Sequence, residues 1–159
     1  MAIRVVYDCM LFVQAVWKKT GPAFRCIELA ETPELKILLS PSILAEVVDV
    51  LSRPALRRKF KSLTDKSAAE FVARLQACAQ MLPEPPKAFF IHRDPDDEPY
   101  LNLAIAGGAE YLVTWNERHL RAYFSSPSWL RPAARPRCIV ARTRRILRIR
   151  RRPRSLHRG

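Results

Sequence analysis

The sequence predicts an α/β fold built on a parallel sheet, and three observations carry that expectation. Short runs of β-branched and aromatic residues (Ile3 to Tyr7, Leu35 to Leu39, Glu110 to Thr114) alternate with segments whose apolar residues recur at helical spacing. Helix starts are marked by Ser40-Pro41 and by Leu63-Thr64. Acidic residues gather where strands end and helices begin, the edge at which open parallel sheets collect ligands.

A chain of 159 residues suits one domain, long enough to bury roughly two thirds of its unfolded surface. The net charge of +13 suggests a nucleic-acid partner until its distribution is read. Residues 1–117 hold all 15 Asp and Glu beside 14 Lys and Arg, a net charge of −1. Residues 118–159 hold 14 Arg, no Lys and no acid. The whole excess is therefore C-terminal. Cys9, Cys26, Cys78 and Cys138 show neither metal-ligand spacing nor a paired framework, and Cys26 and Cys78 read as small core residues. A reduced, cytoplasmic setting is expected. The chain opens directly on a strand, without the shape of a signal peptide, and no run reaches the roughly 18 apolar residues of a membrane span.

The first strand, with Ile3, Val5, Val6 and Tyr7, has the composition of a strand covered on both faces, and it ends on Asp8. Taken alone, Asp8 reads better as the cap of a helix starting near Leu11 than as a site. Two helices follow, through Leu11 to Trp17 and Phe24 to Ala30, separated by Thr20-Gly21-Pro22. Leu35 to Leu39 is the second strand. The helix opened by Ser40-Pro41 carries an apolar face of Ile43, Leu44, Val47, Val48 and Leu51, with Glu46 between, and closes at Ser52-Arg53-Pro54. Arg57, Arg58, Lys59 and Lys61 form a small basic cluster around Phe60, more often a solvated helix end than a phosphate contact. Leu63-Thr64 opens the strongest amphipathic segment, Ala68 to Leu82, stopped by Pro83, Pro85 and Pro86. Phe89-Phe90-Ile91 reads as a brief strand or a connector. A helix starting at Pro99 runs to Gly107-Gly108 and feeds the strand that ends at Thr114.

Asp94, Asp96, Asp97 and Glu98 are costly side by side unless water or a cation neutralises them. A solvated loop with one acid capping the helix is the plain alternative. Yet Asp8, Glu46 and Asn116-Glu117 can reach the same sheet edge. Hard oxygen ligands without His or Cys select Mg²⁺ or Mn²⁺ over zinc, and such a site polarises phosphoryl groups.

The order of these motifs resembles the PIN domain, a family of metal-dependent ribonucleases that includes many toxins of toxin–antitoxin pairs. The resemblance spans roughly residues 2 to 120 and is carried by four segments. They are Val5-Val6-Tyr7-Asp8, Ser40-Pro41-Ser42-Ile43-Leu44-Ala45-Glu46, Arg93-Asp94-Pro95-Asp96-Asp97-Glu98-Pro99 and Gly108-Ala109-Glu110-Tyr111-Leu112-Val113-Thr114-Trp115-Asn116. It implies a three-layer α/β/α sandwich with a central parallel sheet. It also implies Asp8, Glu46 and Asp97 as catalytic, metal-holding acids, with Asp94 and Asp96 as nearby stand-ins and Asn116 in a fourth position that is usually Asp. The implied activity is Mg²⁺- or Mn²⁺-dependent hydrolysis of RNA phosphodiesters. The implied partners are an RNA substrate, an antitoxin protein and a second copy in a homodimer, with no membrane. Arg57, Arg58 and Lys59 are the RNA-binding candidates.

Two departures bear on activity. The family's Asp-Thr-Asn or Asp-Ser-Asn after the first strand is Asp8-Cys9-Met10 here, a loss of supporting groups that commonly costs roughly ten- to a hundredfold. Asn116 removes one negative charge. Residues 1–124 are expected to form the PIN-like domain and 125–159 an Arg- and Pro-rich tail outside it, poorly ordered. A changed reading frame in a GC-rich gene is the favoured origin of such a tail, ahead of a nucleic-acid-binding extension, although Cys138-Ile139-Val140 can add an edge strand. His92 and His119 read as solvent-facing, and Trp115 as packed beneath a helix. The rival to a ribonuclease is a degenerate PIN fold that binds RNA or a protein without cleaving.

Overall fold

The computed structural model describes residues 1–88, 95–115 and 137–140. Strand β1 (Ile3–Tyr7) pairs in parallel with β2 (Leu35–Leu39) on one side and β4 (Tyr111–Thr114) on the other. Outside β2 lies β3 (Gln80–Met81), and outside β4 lies β5 (Arg137–Val140), both parallel. The sheet order is β3-β2-β1-β4-β5. Strands thus step outward from β1 to β3, and the chain then returns to place β4 against the free side of β1. The order reverses between β1 and β4, so the ligand-collecting crevice falls at the carboxyl ends of these two strands.

Helices α1 (Cys9–Trp17), α2 (Pro22–Ala30), α3 (Pro41–Ser52), α4 (Pro54–Lys59), α5 (Asp65–Cys78) and α6 (Glu98–Ala106) flank this sheet in the expected three-layer arrangement. A single 3-10 turn, Pro95–Asp97, precedes α6. Val5, Val6 and Tyr7 of β1, Ile37 to Leu39 of β2, and Leu112 and Val113 of β4 are buried whichever face they point to. Double-sided burial explains why these strands read as continuous apolar runs rather than alternating ones. Cys26 is fully buried in α2, where its carbonyl accepts a hydrogen bond from the Tyr7 hydroxyl at 3.2 Å, and Cys78 is half-buried. Among the described residues, no helix is long and apolar enough to cross a membrane.

The cap signals act as the sequence predicts. Ser40 accepts a hydrogen bond from the Ile43 amide, and Thr64 and Ser67 close a reciprocal capping box at the start of α5. The end of α5 corrects an expectation. Helix was expected as far as Leu82, but it stops at Cys78 and Ala79 turns extended, with φ −88° and ψ 155°. Gln80 and Met81 then pair with Leu38 and Leu39, and the Leu82 amide donates to the Leu39 carbonyl at 2.8 Å. Ala79 and Leu82 reach the same core from a strand that they would have reached from another helical turn. The basic cluster after Pro54 lies on a helix of its own, α4.

At the end of α6 the chain approaches the sheet too closely for a side chain. A Cβ on Gly107 would lie 2.5 Å from Leu38 Cδ1 and 2.8 Å from Leu82 Cδ1. Strand β5 meets the edge-strand expectation for Cys138 to Val140. Phe89-Phe90-Ile91, His92 and His119 lie outside the described residues.

Candidate functional site

Asp8 stands at the switch point. It follows β1 in extended conformation, and its amide still donates to the Val113 carbonyl of β4 at 3.1 Å. The pairing of Tyr7 with Val113 brings Thr114 and Trp115 alongside it. One carboxylate oxygen, Oδ1, accepts the Leu11 amide at 2.8 Å and so caps α1. The other, Oδ2, accepts the Thr114 hydroxyl at 2.5 Å and the Trp115 amide at 2.7 Å. The cap expectation is met, and it accounts for only one of the two oxygens. Burial raises the Asp8 pKa above its ordinary value, while the three donors pull the other way and favour the carboxylate.

Glu46 reaches the site from α3. The apolar positions Ile43, Val47 and Leu51 turn one face of α3 into the core, which leaves Glu46 half-buried at the margin. Its carboxylate accepts the hydroxyl proton of Tyr100, a buried residue of α6, at 2.7 Å. Burial, the nearby Cys9 and this bond to Glu46 hold the Tyr100 phenol far above its usual range. It remains a proton donor at any working pH.

Cys9, the first residue of α1, directly follows Asp8. Burial comes first, then the charges of Glu46 and Asp8, in pushing its thiol up to about 12. The Cys9 thiol thus responds to the charges of both Asp8 and Glu46. Among the described residues, neither acid takes part in a salt bridge. Their partners are hydroxyls and backbone amides, and the negative charge is not cancelled by a fixed cation.

Asp97 precedes α6 at the capping position, but its side chain makes no capping bond there. It is half-buried, and it sits three residues before Tyr100, a spacing that sets both on one face of the helix start. Among the described residues, no group of three or more His, Cys, Asp or Glu stands close enough to hold a metal ion. Asp94 and Asn116 lie outside the described residues.

The basic candidates separate. Arg57 braces the α3–α4–α5 corner: its Nε donates to the Leu51 carbonyl at 3.0 Å, and its guanidinium bonds Asp65. Arg58 and Lys59 are exposed, with the Lys59 ammonium 5.4 Å from the centre of the Phe60 ring. Sequence reasoning missed three residues: Tyr100, the Thr114 hydroxyl and Arg53. Arg53 is bidentate to Asp49 at 2.7 and 3.0 Å, and its charge also reaches Cys9 and Glu46. The parallel register would have found Thr114, and the i, i+3 spacing from Asp97 would have found Tyr100.

A family model described as the PIN domain matches residues 4–118. The chain belongs to the PIN domain family. Among solved structures, one described as VapBC2 from Rickettsia felis bound to a DNA fragment from their promoter is similar, with a TM-score of 0.57 and 16% identity. The match covers 87% of this chain and 98% of that one, and it supports the PIN-like fold. No curated protein matches the chain. Within this PIN fold, Asp8 follows β1 and is bonded to Thr114 and Trp115 at the end of β4, while Glu46 of α3 is bonded to Tyr100 of α6.

Proposed function

We propose that this PIN domain is a divalent-metal-dependent endoribonuclease, the toxin of a toxin–antitoxin pair. The observation that supports it most is the pair of acids Asp8, at the sheet's switch point, and Glu46, on the helix after β2, neither of which forms an ion pair among the described residues. The donor chemistry suits a hard ion. From the described residues Asp8 accepts three hydrogen bonds and Glu46 one, out of about four acceptor positions each. Asp8 and Glu46 would hold Mg²⁺ or Mn²⁺, with Asp97, Asp94 and Asn116 as further ligands of the same reading. Such an ion, when bound, polarises the scissile phosphate and lowers the pKa of a coordinated water.

The protein's own contribution is orientation. Thr114, Trp115 and Leu11 fix the Asp8 carboxylate in one rotamer, and Tyr100 fixes Glu46. Acids held in this way need no reorganisation when a phosphodiester arrives. Arg58 and Lys59, with Arg57 behind them, supply phosphate contacts for the RNA. The cytoplasm is the proposed setting. An antitoxin and a second copy of the chain are proposed partners, in keeping with the family. The catalytic unit lies within residues 1–124, and the Arg of 125–159 add nonspecific attraction for phosphate.

A second reading, binding of RNA or a protein without cleavage, is favoured by one observation: the described residues contain no three-acid group of metal-holding geometry. One experiment separates the two. Purified chain is incubated with end-labelled RNA and Mn²⁺ or Mg²⁺, beside Asp8→Asn and Glu46→Gln. Metal-dependent cleavage that both substitutions abolish supports the nuclease. Shifted but intact RNA supports the second reading.

A further inference from the structure

Two helix ends that are 43 residues apart in the chain meet at a stacked pair of rings. Trp17, the last residue of α1, lies on Phe60, which follows α4, with ring centres 4.4 Å apart and planes 11° from parallel. A bond of 3.5 Å from the Ser62 hydroxyl to the Trp17 carbonyl ties the same two segments. The stack sets Lys18 and Lys19, which follow α1, beside Arg58, Lys59 and Lys61. All five are exposed, and none forms an ion pair among the described residues. Nearby Arg57 is already matched by Asp65, and Lys66 by Glu70.

Cations at helix C-termini complement the helix dipole, which is sufficient reason for one or two of them. Five unpaired cations at one junction repel each other and exceed that need. Residues 1–117 have a net charge of −1, and without these five they would stand at −6. An otherwise acidic region thus gathers unmatched positive charge in one place. That place begins about 14 Å from Asp8 along α1, nine residues at 1.5 Å per helical residue. Helix α4 joins it along the chain to the end of α3, the helix that carries Glu46.

We propose that Lys18, Lys19, Arg58, Lys59 and Lys61 form a surface that holds the backbone phosphates of a single RNA strand on its way to Asp8 and Glu46. A polyanion fits because several evenly spaced charges repay five cations at once, whereas a lone anion does not. The proposal deepens the nuclease reading by naming where the substrate strand lies. Its test is independent of cleavage because binding is read in EDTA.

The full chain is titrated with labelled oligouridylate over a range of salt. The comparison is with a variant carrying Ala at all five positions, confirmed as folded by thermal unfolding. The Arg of residues 118–159 are present in both and cancel in the difference. The expected result is an affinity loss of about tenfold or more and a salt slope shallower by about 0.7 per contact removed. A third chain with Lys18→Arg, Lys19→Arg, Arg58→Lys, Lys59→Arg and Lys61→Arg keeps the wild-type slope. An unchanged slope in the Ala variant overturns the proposal. So does an unchanged RNA slope with lost binding of polyglutamate, which assigns the surface to an acidic protein.

Discussion

The Tyr100 hydroxyl donates to the Glu46 carboxylate at 2.7 Å, linking α6 to α3 across 54 residues of sequence. A buried phenol that does not ionise is an unusual neighbour for an acid, because it steers the carboxylate without neutralising it. Lys or Arg in its place would lower the affinity of the site for any metal ion. Tyr100 thus preserves the negative charge while restricting its position.

Tyr100→Phe keeps the ring in the core and removes only this donor. Water can take over at the half-buried Glu46, so stability is expected to fall by no more than about 1 kcal/mol. The Mn²⁺ concentration for half-maximal cleavage is expected to rise about tenfold or more, as for other residues that orient a metal-holding acid. Unfolding in urea and a metal titration of the cleavage rate give the two numbers. A stability loss with unchanged metal dependence would make Tyr100 a packing residue alone.

Asp8→Asn tests the acid under tighter constraints. An amide has one acceptor oxygen, so its NH₂ must face either the Leu11 amide or the Trp115 amide. That mismatch is expected to cost about 1–3 kcal/mol, whereas Glu46→Gln, with a hydroxyl partner that rotates, should cost less. The pH dependence has a definite sign. A folded-state pKa raised above 3.8 means that the stability associated with Asp8 is complete below that pH and is lost as pH rises through the raised value. The stability gap between wild type and Asp8→Asn should therefore narrow as pH increases from 4 towards neutrality. Denaturant melts at a series of pH values, without divalent ions, check this.

The sheet was legible because its strands are buried on both faces and leave unbroken apolar runs. Asp8 after the first strand and Glu46 in the helix after the second could be picked out as candidates because they stand in the order of a known family. What sequence reasoning missed depends on pairing between distant segments. Gln80 and Met81 have no strand signature of their own, and they become a strand because Leu38 and Leu39 offer an unpaired edge. The bonds of Thr114 to Asp8 and of Tyr100 to Glu46 exist only once β1, α3, α6 and β4 have assembled. The bonds of Arg57 to Leu51 and Asp65, six and eight residues away across two turns of the chain, likewise have no signature in the sequence.

Gly107→Ala probes the close approach of α6 to the sheet. The new methyl group would meet Leu38, Leu82 and, at 3.0 Å, the Leu103 carbonyl. Leu38 is itself buried, so it has little room to yield. The expected cost is about 1–3 kcal/mol by overpacking. Because α6 carries Tyr100, cleavage should fall with stability when measured near the midpoint and recover on cooling. Paired thermal melts and cleavage rates at two temperatures test the link.

Cys9→Ser addresses one of the positions at which the sequence differs from the pattern it resembles. The thiol is neutral across the working range, and it is a weak hydrogen-bond donor beside two carboxylates. A hydroxyl of nearly the same size donates more strongly and would offer Asp8 or Glu46 a further contact. If residue 9 supports the metal-holding acids, Cys9→Ser should raise the metal-dependent cleavage rate by about tenfold, the lower end of what such supporting groups are worth. The fold should tolerate it with a loss near 1 kcal/mol, since Cys9 is buried but at the margin of the core. A rate that stays at the wild-type value at saturating Mn²⁺ would place the limit on activity elsewhere in the site.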